Sequence, residues 1–311
     1  MNKLTDTLKD YQTIAVVGMC KNAGKTTVVN HIIDEFKDEY QIGLTSIGYD
    51  GEKQDEITKL EKPRIEVYPG MIIATCDCAL NTASAGYKKV RDTGIRTALG
   101  EVSIIRIKTQ GLVEVSGPSM VSQIEALSYE MKKLGCSKII VDGSAGRTSF
   151  ASRLDCTVLS VGAALSNDMN KVVKLAEHQV DMFDLNLCEK SYAVSFSGKK
   201  PYAVLKNEND VQIIFRGAMV NDDLIEIMKK YKDSKKVAIV NDASSVFIAP
   251  RIYKKFLHKN GEICVLNKTN LIAVTINPMS PYAKWFDKDK FYEEMQEHVD
   301  LPVFNVMDEK V

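Results

Sequence analysis

The chain reads as an α/β protein: a mostly parallel sheet flanked by helices, with a second, smaller α/β domain. Three observations predict this. Short apolar runs alternate with segments of helical periodicity from Thr13 almost to the end, the pattern of layered α/β folds. Several of these runs are apolar throughout, as in strands buried on both faces of a parallel sheet. The length of 311 residues, at about 150 per domain, leaves room for two domains. The pattern breaks near Ser197-Gly198-Lys199-Lys200-Pro201, so the expected division is 1–190 and 191–311.

Each element has its own reason. Ile14-Ala15-Val16-Val17 is continuous and apolar and predicts a buried strand from Thr13 to Val17. A helix follows from about Thr26, with Val28, Val29, Ile32, Ile33 and Phe36 at helical spacing. A second strand is expected from Gln41 to Ile47, then a polar loop over 48–63. Arg64 to Tyr68 reads as extended, and Met71 to Thr82 fits either helix or strand. Ile104 to Lys108 and Leu112 to Ser116 alternate around Gln110-Gly111, which predicts a hairpin. Ser116-Gly117-Pro118-Ser119 breaks the pattern, and a helix then runs to Leu134, where Gly135 stops it. Strands at Lys138 to Val141 and Cys156 to Val161, and an amphipathic helix over 168–188, complete the first domain.

For the second domain the expected strands start at Val211, Val237, Ile263, Leu271 and Val303. Helices are expected from Asp222 to Tyr231, Ala243 to Lys259 and Phe286 to His298.

Composition narrows the function. Forty-one basic residues balance 41 acidic ones; proteins that coat nucleic acid or anionic lipid carry a basic excess instead. No apolar run reaches the roughly 18 residues of a membrane-spanning helix. The polar start, Met1 to Tyr11, is unlike a secretory signal. Seven cysteines, mostly beside apolar runs, suit reduced core positions and a cytoplasmic location. Cys76-Asp77-Cys78 lacks the two-residue spacer of zinc and redox motifs and is expected to be packing. His31, His178, His258 and His298 have no evident catalytic partner. Tyr282 and Trp285, near Pro278 and Pro281, are expected to pack against the sheet, the alternative being exposed aromatics that anchor a partner. Asn241-Asp242-Ala243-Ser244-Ser245 reads as a helix cap.

The most informative stretch is Gly18-Met19-Cys20-Lys21-Asn22-Ala23-Gly24-Lys25-Thr26-Thr27. It leaves a buried strand and opens a helix, as a phosphate-binding P-loop does. There the backbone N–H groups and the helix dipole hold an anion. The expected phosphate cradle comprises Gly18, Lys21, Asn22, Ala23, Gly24, Lys25, Thr26 and Thr27. Lys25 would reach the terminal phosphates and the Thr26 hydroxyl would ligate Mg²⁺. Five residues separate Gly18 from Gly24, where the common motif has four. Asp142, at the end of a parallel strand, is a candidate metal ligand and, with Lys25, a candidate catalytic group; Gly143 and Gly146 would keep the backbone open beside it. Asp50 heads an acidic cluster with Glu52, Asp55 and Glu56 and is a further candidate metal ligand. Arg147 is a candidate phosphate contact or else a surface arginine, and Cys20 is expected to fit the turn, with a redox-sensitive thiol as the alternative if the helix dipole lowers its pKa.

The five-residue spacing resembles that of dethiobiotin synthetases, as do Lys138 to Arg147 and Leu159-Ser160-Val161-Gly162. One departure is the absence of a lysine between Leu44 and Glu52, where those enzymes hold their substrate. Over most of its length the chain is also similar to the smaller subunit of the lysine 5,6-aminomutase reactivase family. The segments that carry this likeness are Cys20 to Thr27, Thr45 to Gly48 with Asp50-Gly51-Glu52, Lys62 to Ile65, Asp142 to Arg147, and Asn277 to Tyr282. The resemblance implies ATP and Mg²⁺ as cofactors and a service role, in which ATP drives release of damaged adenosylcobalamin from an aminomutase. It also implies a MutS-like larger ATPase subunit as partner; the charge balance and the lack of a long apolar run lead to the expectation of no direct contact with nucleic acid or membrane. A homo-oligomer is compatible with the sequence. The alternatives are a dethiobiotin synthetase-like ATP-dependent ligase and a nucleotide-binding scaffold that does not hydrolyse.

Overall fold

The computed structural model describes residues 3–48, 64–143, 148–188, 201–206, 210–282 and 285–307. The chain divides into two compact units, one of Met1–Ala176 with Leu271–Val311, the other Glu177–Asn270. The expected division at residue 190 is therefore corrected: the C-terminal 40 or so residues rejoin the first unit, and the second unit is an insertion.

In chain order the first unit runs α1 (Leu4–Leu8), β1 (Thr13–Gly18), α2 (Lys25–Phe36), β2 (Ile42–Ser46), β3 (Ile65–Val67), β4 (Ile72–Cys76), α3 (Asp77–Leu80), β5 (Tyr87–Thr97), β6 (Gly100–Ile107) and β7 (Gly111–Val113). It continues with α4 (Val121–Lys133), β8 (Lys138–Asp142) and β9 (Cys156–Gly162), and α5 (Met169–Phe183) leads into the insertion. The inserted unit holds β10 (Asn186–Leu187), β11 (Tyr202–Lys206), β12 (Asp210–Phe215), β13 (Met219–Val220), α6 (Asn221–Lys230), β14 (Lys235–Val240), β15 (Val246–Phe247), α7 (Pro250–His258) and β16 (Gly261–Val265). The chain then returns through β17 (Leu271–Asn277), α8 (Lys288–His298) and β18 (Val303–Phe304).

The large sheet has nine strands in the order β18-β17-β9-β1-β8-β2-β4-β6-β5. Strands β18 through β4 run parallel, and β6 and β5 are antiparallel at one edge. Every residue of β1, β2, β4 and β9 is buried, which explains the unbroken apolar runs: helices or other chain segments cover both faces. Ile14, Val16, Leu44, Ile73, Ile140 and Val158 join Val28, Val29, Ile32 and Ile33 of α2 in one core. The inserted unit has its own core around Ile213, Leu224, Ile227, Ala238, Val240, Phe256 and Ile263. Its sheet is five-stranded, β10-β16-β14-β12-β11, with only β11 antiparallel.

Two expectations are corrected locally, and one left open is settled. The hairpin around Gln110-Gly111 does not form. Instead β6 pairs with β4 and β5, and β7 pairs antiparallel with β3. Alternation marks a strand with two different faces, and both segments have them; it cannot name the partner. The helix expected from Ala243 is a 3₁₀ turn at Ala243–Ser245, then β15, and only then α7. Pro250 at the first helical turn explains the late start, since it has no N–H to donate and restricts the residue before it. The ambiguous Met71 to Thr82 is strand first and then a single helical turn. Among the described residues no helix is long and apolar enough to cross a membrane.

Candidate functional site

Strand β1 delivers its C-terminal end, Gly18, to the edge of the large sheet where parallel α/β folds bind ligands. Met19 N donates to Ser160 O of the neighbouring β9 at 3.1 Å, and Ser160 Oγ donates to Ala23 O at 2.9 Å. The loop 19–24 is thus pinned at both ends by one strand. Asn22 (φ 60°) and Gly24 (φ 101°) are left-handed, a conformation that turns backbone N–H groups into an anion-binding concavity. Gly24 is the N-cap of α2 and offers no side-chain cap. The first helical bond is Val28 N to Gly24 O, 3.1 Å. The N–H groups of the first turn, Lys25 to Thr27, precede it and have no partner within the helix.

Lys25 folds back over the loop. Its Nζ lies 3.1 Å from where a Gly18 Cβ would stand and donates to Cys20 O at 3.4 Å. A long bond to one carbonyl holds the ammonium over the loop without neutralising it. Lys21, Thr26 and Thr27 are half-buried and Ala23 is buried. Burial raises the Cys20 thiol pKa, with Lys25 only partly opposing, which favours a residue that fits the turn over a redox-sensitive thiol.

Asp142 ends β8, the strand next to β1, in register with Val16 on one side and Ser46 on the other. It is half-buried. Gly143 N donates to Val16 O at 2.8 Å and Ile47 N to Asp142 O at 3.0 Å, so both sides of the Asp142 turn are fixed to the sheet. Gly18, with Lys25 over it, and Asp142 with Gly143 therefore end neighbouring strands at the same side of the sheet, from segments more than a hundred residues apart. Asp50, Gly146 and Arg147, with the acidic cluster at Glu52, Asp55 and Glu56, lie outside the described residues.

Two parts of this edge were not expected as site elements. The first is Ser116-Gly117-Pro118, read from sequence only as a break. Gly117 N donates to Ser46 Oγ at 2.9 Å, Gly48 N to Pro118 O at 2.6 Å, and Cys76 N to Ser116 O at 2.8 Å. A Cβ on Gly117 would fall far inside contact of Ser46 O, so only glycine allows this segment to lie against the end of β2. The second is the exit from β17. Asn277 Nδ2 donates to Asn22 O at 3.4 Å, and Asn22 Nδ2 donates to the Tyr282 hydroxyl at 2.8 Å. Tyr282 and Trp285 are 45% and 62% exposed, which corrects their expected burial. The signals in the sequence were the prolines beside them and the family likeness of Asn277 to Tyr282.

Elsewhere the quieter expectations hold. Asp242 accepts from Ser244 N at 2.9 Å, a cap. Cys76 is buried as expected, but Cys78 is an exception, exposed rather than packed; the seven cysteines are free. His31 is buried, and a ring nitrogen of His178 lies 2.7 Å from Ile248 O. No family model and no curated protein matches this chain.

Proposed function

We propose that the loop 18–27 is a P-loop and that the protein binds ATP with Mg²⁺ there. The observation that carries this is the arrangement around Lys25: an uncapped helix N-terminus, two left-handed loop residues and an ammonium drawn over them. These groups suit a polyphosphate. The donor set also suits magnesium. A carboxylate, Asp142, and a hydroxyl, Thr26, are hard oxygen ligands; one ends the strand beside β1 and the other lies in the first turn of the helix that follows β1. Bound Mg²⁺ would neutralise charge on the phosphate oxygens. Backbone N–H groups of the loop would hold the phosphates, Lys25 would track the terminal ones, and Asp142 and Thr26 would hold the metal.

The sequence resemblance extends the reading. We infer an ATPase subunit of a reactivating factor for an adenosylcobalamin-dependent aminomutase, working with a MutS-like larger subunit. The seven free cysteines suit a reducing compartment, and we assign the protein to the cytoplasm.

Two measurements test this. Lys25→Ala should weaken ATP binding in equilibrium dialysis by at least about a hundredfold, as expected for loss of a desolvated charge partner. Wild type, with the larger subunit, should restore an inactivated mutase in the presence of ATP, and Lys25→Ala should not. Unchanged ATP binding in Lys25→Ala removes the site. Binding without recovery of the mutase removes the service role. ATP turnover that needs a small amine or carboxylate and no protein partner would then favour a ligase of the dethiobiotin synthetase type. Tight binding with no phosphate release would favour a scaffold.

A further inference from the structure

The exit of β17 touches the loop 18–27 at its most constrained residue. Asn22 is one of two non-glycine residues with positive φ among those described, in a left-handed conformation that asparagine tolerates better than other side-chain-bearing residues. Two bonds anchor it there. Tyr282 Oη accepts from Asn22 Nδ2 at 2.8 Å, and Asn277 Nδ2 donates to Asn22 O at 3.4 Å.

The segment that supplies these partners is itself braced. Met279 N donates to Asn277 Oδ1 at 3.1 Å, Tyr282 N to Ser280 Oγ at 3.2 Å, and Phe286 N to Pro278 O at 3.0 Å. Phe286 packs edge-on against Phe291 of α8, ring centroids 5.2 Å apart. Tyr282 thus stands on a frame tied to the sheet through Asn277 and to α8 through Phe286. The frame also carries Trp285, the single tryptophan of the chain, 62% exposed.

We propose that Tyr282 and Asn22 form a nucleotide-sensing latch. Tyr282 is a positioning residue: through Asn22 it keeps the loop in the shape that receives phosphates. Coupling between two sites is reciprocal. If the latch favours the nucleotide-ready loop, nucleotide on the loop favours the latch and stiffens the frame that holds Trp285. The state of the site is thereby written onto an exposed aromatic, where a protein partner can read it. This inference rests on the P-loop reading.

The test uses the whole chain, with ATP and Mg²⁺ as probes and two separate readouts. Equilibrium dialysis reports binding. Iodide quenching of tryptophan emission, excited selectively, reports Trp285. In wild type, ATP should lower the quenching constant. Tyr282→Phe removes only the hydroxyl, and Asn22→Gly keeps the left-handed backbone but removes the amide. Each should weaken ATP binding about fivefold and abolish the ATP-dependent change in quenching, with the thermal unfolding midpoint unchanged. The double variant should be no worse than either single one, because both break the same bond. Wild type that binds ATP with no change in quenching overturns the latch. So does Tyr282→Phe that keeps wild-type affinity and quenching response, or a double variant whose losses add. Wild type that binds no ATP in dialysis overturns the P-loop reading, and the latch with it.

Discussion

The two sheets of this molecule close the turn after a central parallel strand in opposite ways. After β1 that turn opens directly into α2; after β14 it leads through β15 to α7. After β1 the chain makes a loop with left-handed residues at 22 and 24, and α2 begins with no side-chain cap. After β14, Asp242 is 3% exposed and takes up the next N–H groups itself. Its carboxylate accepts from Ser244 N and the Ser244 hydroxyl, and from Asn241 Nδ2 at 2.6 Å. The helix that follows, α7, starts on a proline. The inserted unit thus closes its turn with its own carboxylate, while the turn after β1 is closed by backbone alone; α7, like α2, begins with no side-chain cap. Strand–helix alternation is common to both; what differs is the turn after the strand, left-handed at 22 and 24 after β1 and closed by Asp242 after β14.

The largest effect that would test this contrast lies in the floor of the site. Gly117→Ala should cost about 3 kcal/mol or more in denaturant unfolding, since the new methyl has no room beside Ser46 O. Gly217→Ala in the inserted unit has open space around it and should change stability by less than about 0.5 kcal/mol. Equal costs at the two positions would show that the Ser116-Gly117-Pro118 segment is not held as tightly against β2 as its hydrogen bonds indicate.

The second test concerns a feature the two units share. Lys138, at the start of β8, donates to Leu8 O, Lys9 O and Tyr11 O at 3.1, 2.5 and 2.7 Å, and its ammonium lies 4.8 Å from the centre of the Tyr40 ring. Lys236, in β14, donates to Tyr231 O at 3.0 Å and Ser234 O at 2.5 Å. Each buried lysine gathers carbonyls that follow a helix and would otherwise lose their partners. Lys138→Met and Lys236→Met should each cost about 2 kcal/mol, because buried carbonyls are left unpaired. Neutral or stabilising substitutions would mean that solvent takes the lysine's place at no cost. Burial lowers the pKa of both lysines. In the alkaline window between each lowered value and the ordinary lysine value, the folded chain has released a proton that the unfolded chain still binds. Stability from these groups therefore rises with pH across that window and is flat below it. The rise should vanish in the double methionine variant, measured as unfolding free energy against pH.

What was legible in the sequence follows the same physics. The loop 18–27 could be read because its chemistry is local: a buried strand, glycines, then Lys-Thr at a helix start. Asp142 could be read because it ends an apolar strand. Gly117, Asn277 and Tyr282 could not be placed in the site, because their roles depend on partners 71, 255 and 260 residues away. The domain boundary failed for a related reason. Leu271 to Asn277 has the pattern of a buried parallel strand, and that pattern fits either sheet. Only its register against β9, Val274 beside Leu159 and Thr275 beside Ser160, assigns it to the first unit and brings Asn277 to the loop.

The smallest predicted effect bears most directly on the contrast between the junctions. Asp242→Ala removes the cap after β14 and should cost about 1 kcal/mol of stability, the usual cost of losing such a cap. It should leave ATP binding at the loop 18–27 unchanged, because the donors it frees belong to the inserted unit. The reciprocal change, Gly24→Asp, places a carboxylate where α2 has none. Its φ of 101° and a Cβ 3.0 Å from Asn277 Cβ make the position unfavourable for any side chain. The added negative charge would also oppose an incoming phosphate. If the open helix end is what binds nucleotide, Gly24→Asp loses ATP binding while Asp242→Ala does not. Should the two variants bind ATP equally well, the uncapped N-terminus of α2 has no part in the site, and the difference between the two junctions is architectural only.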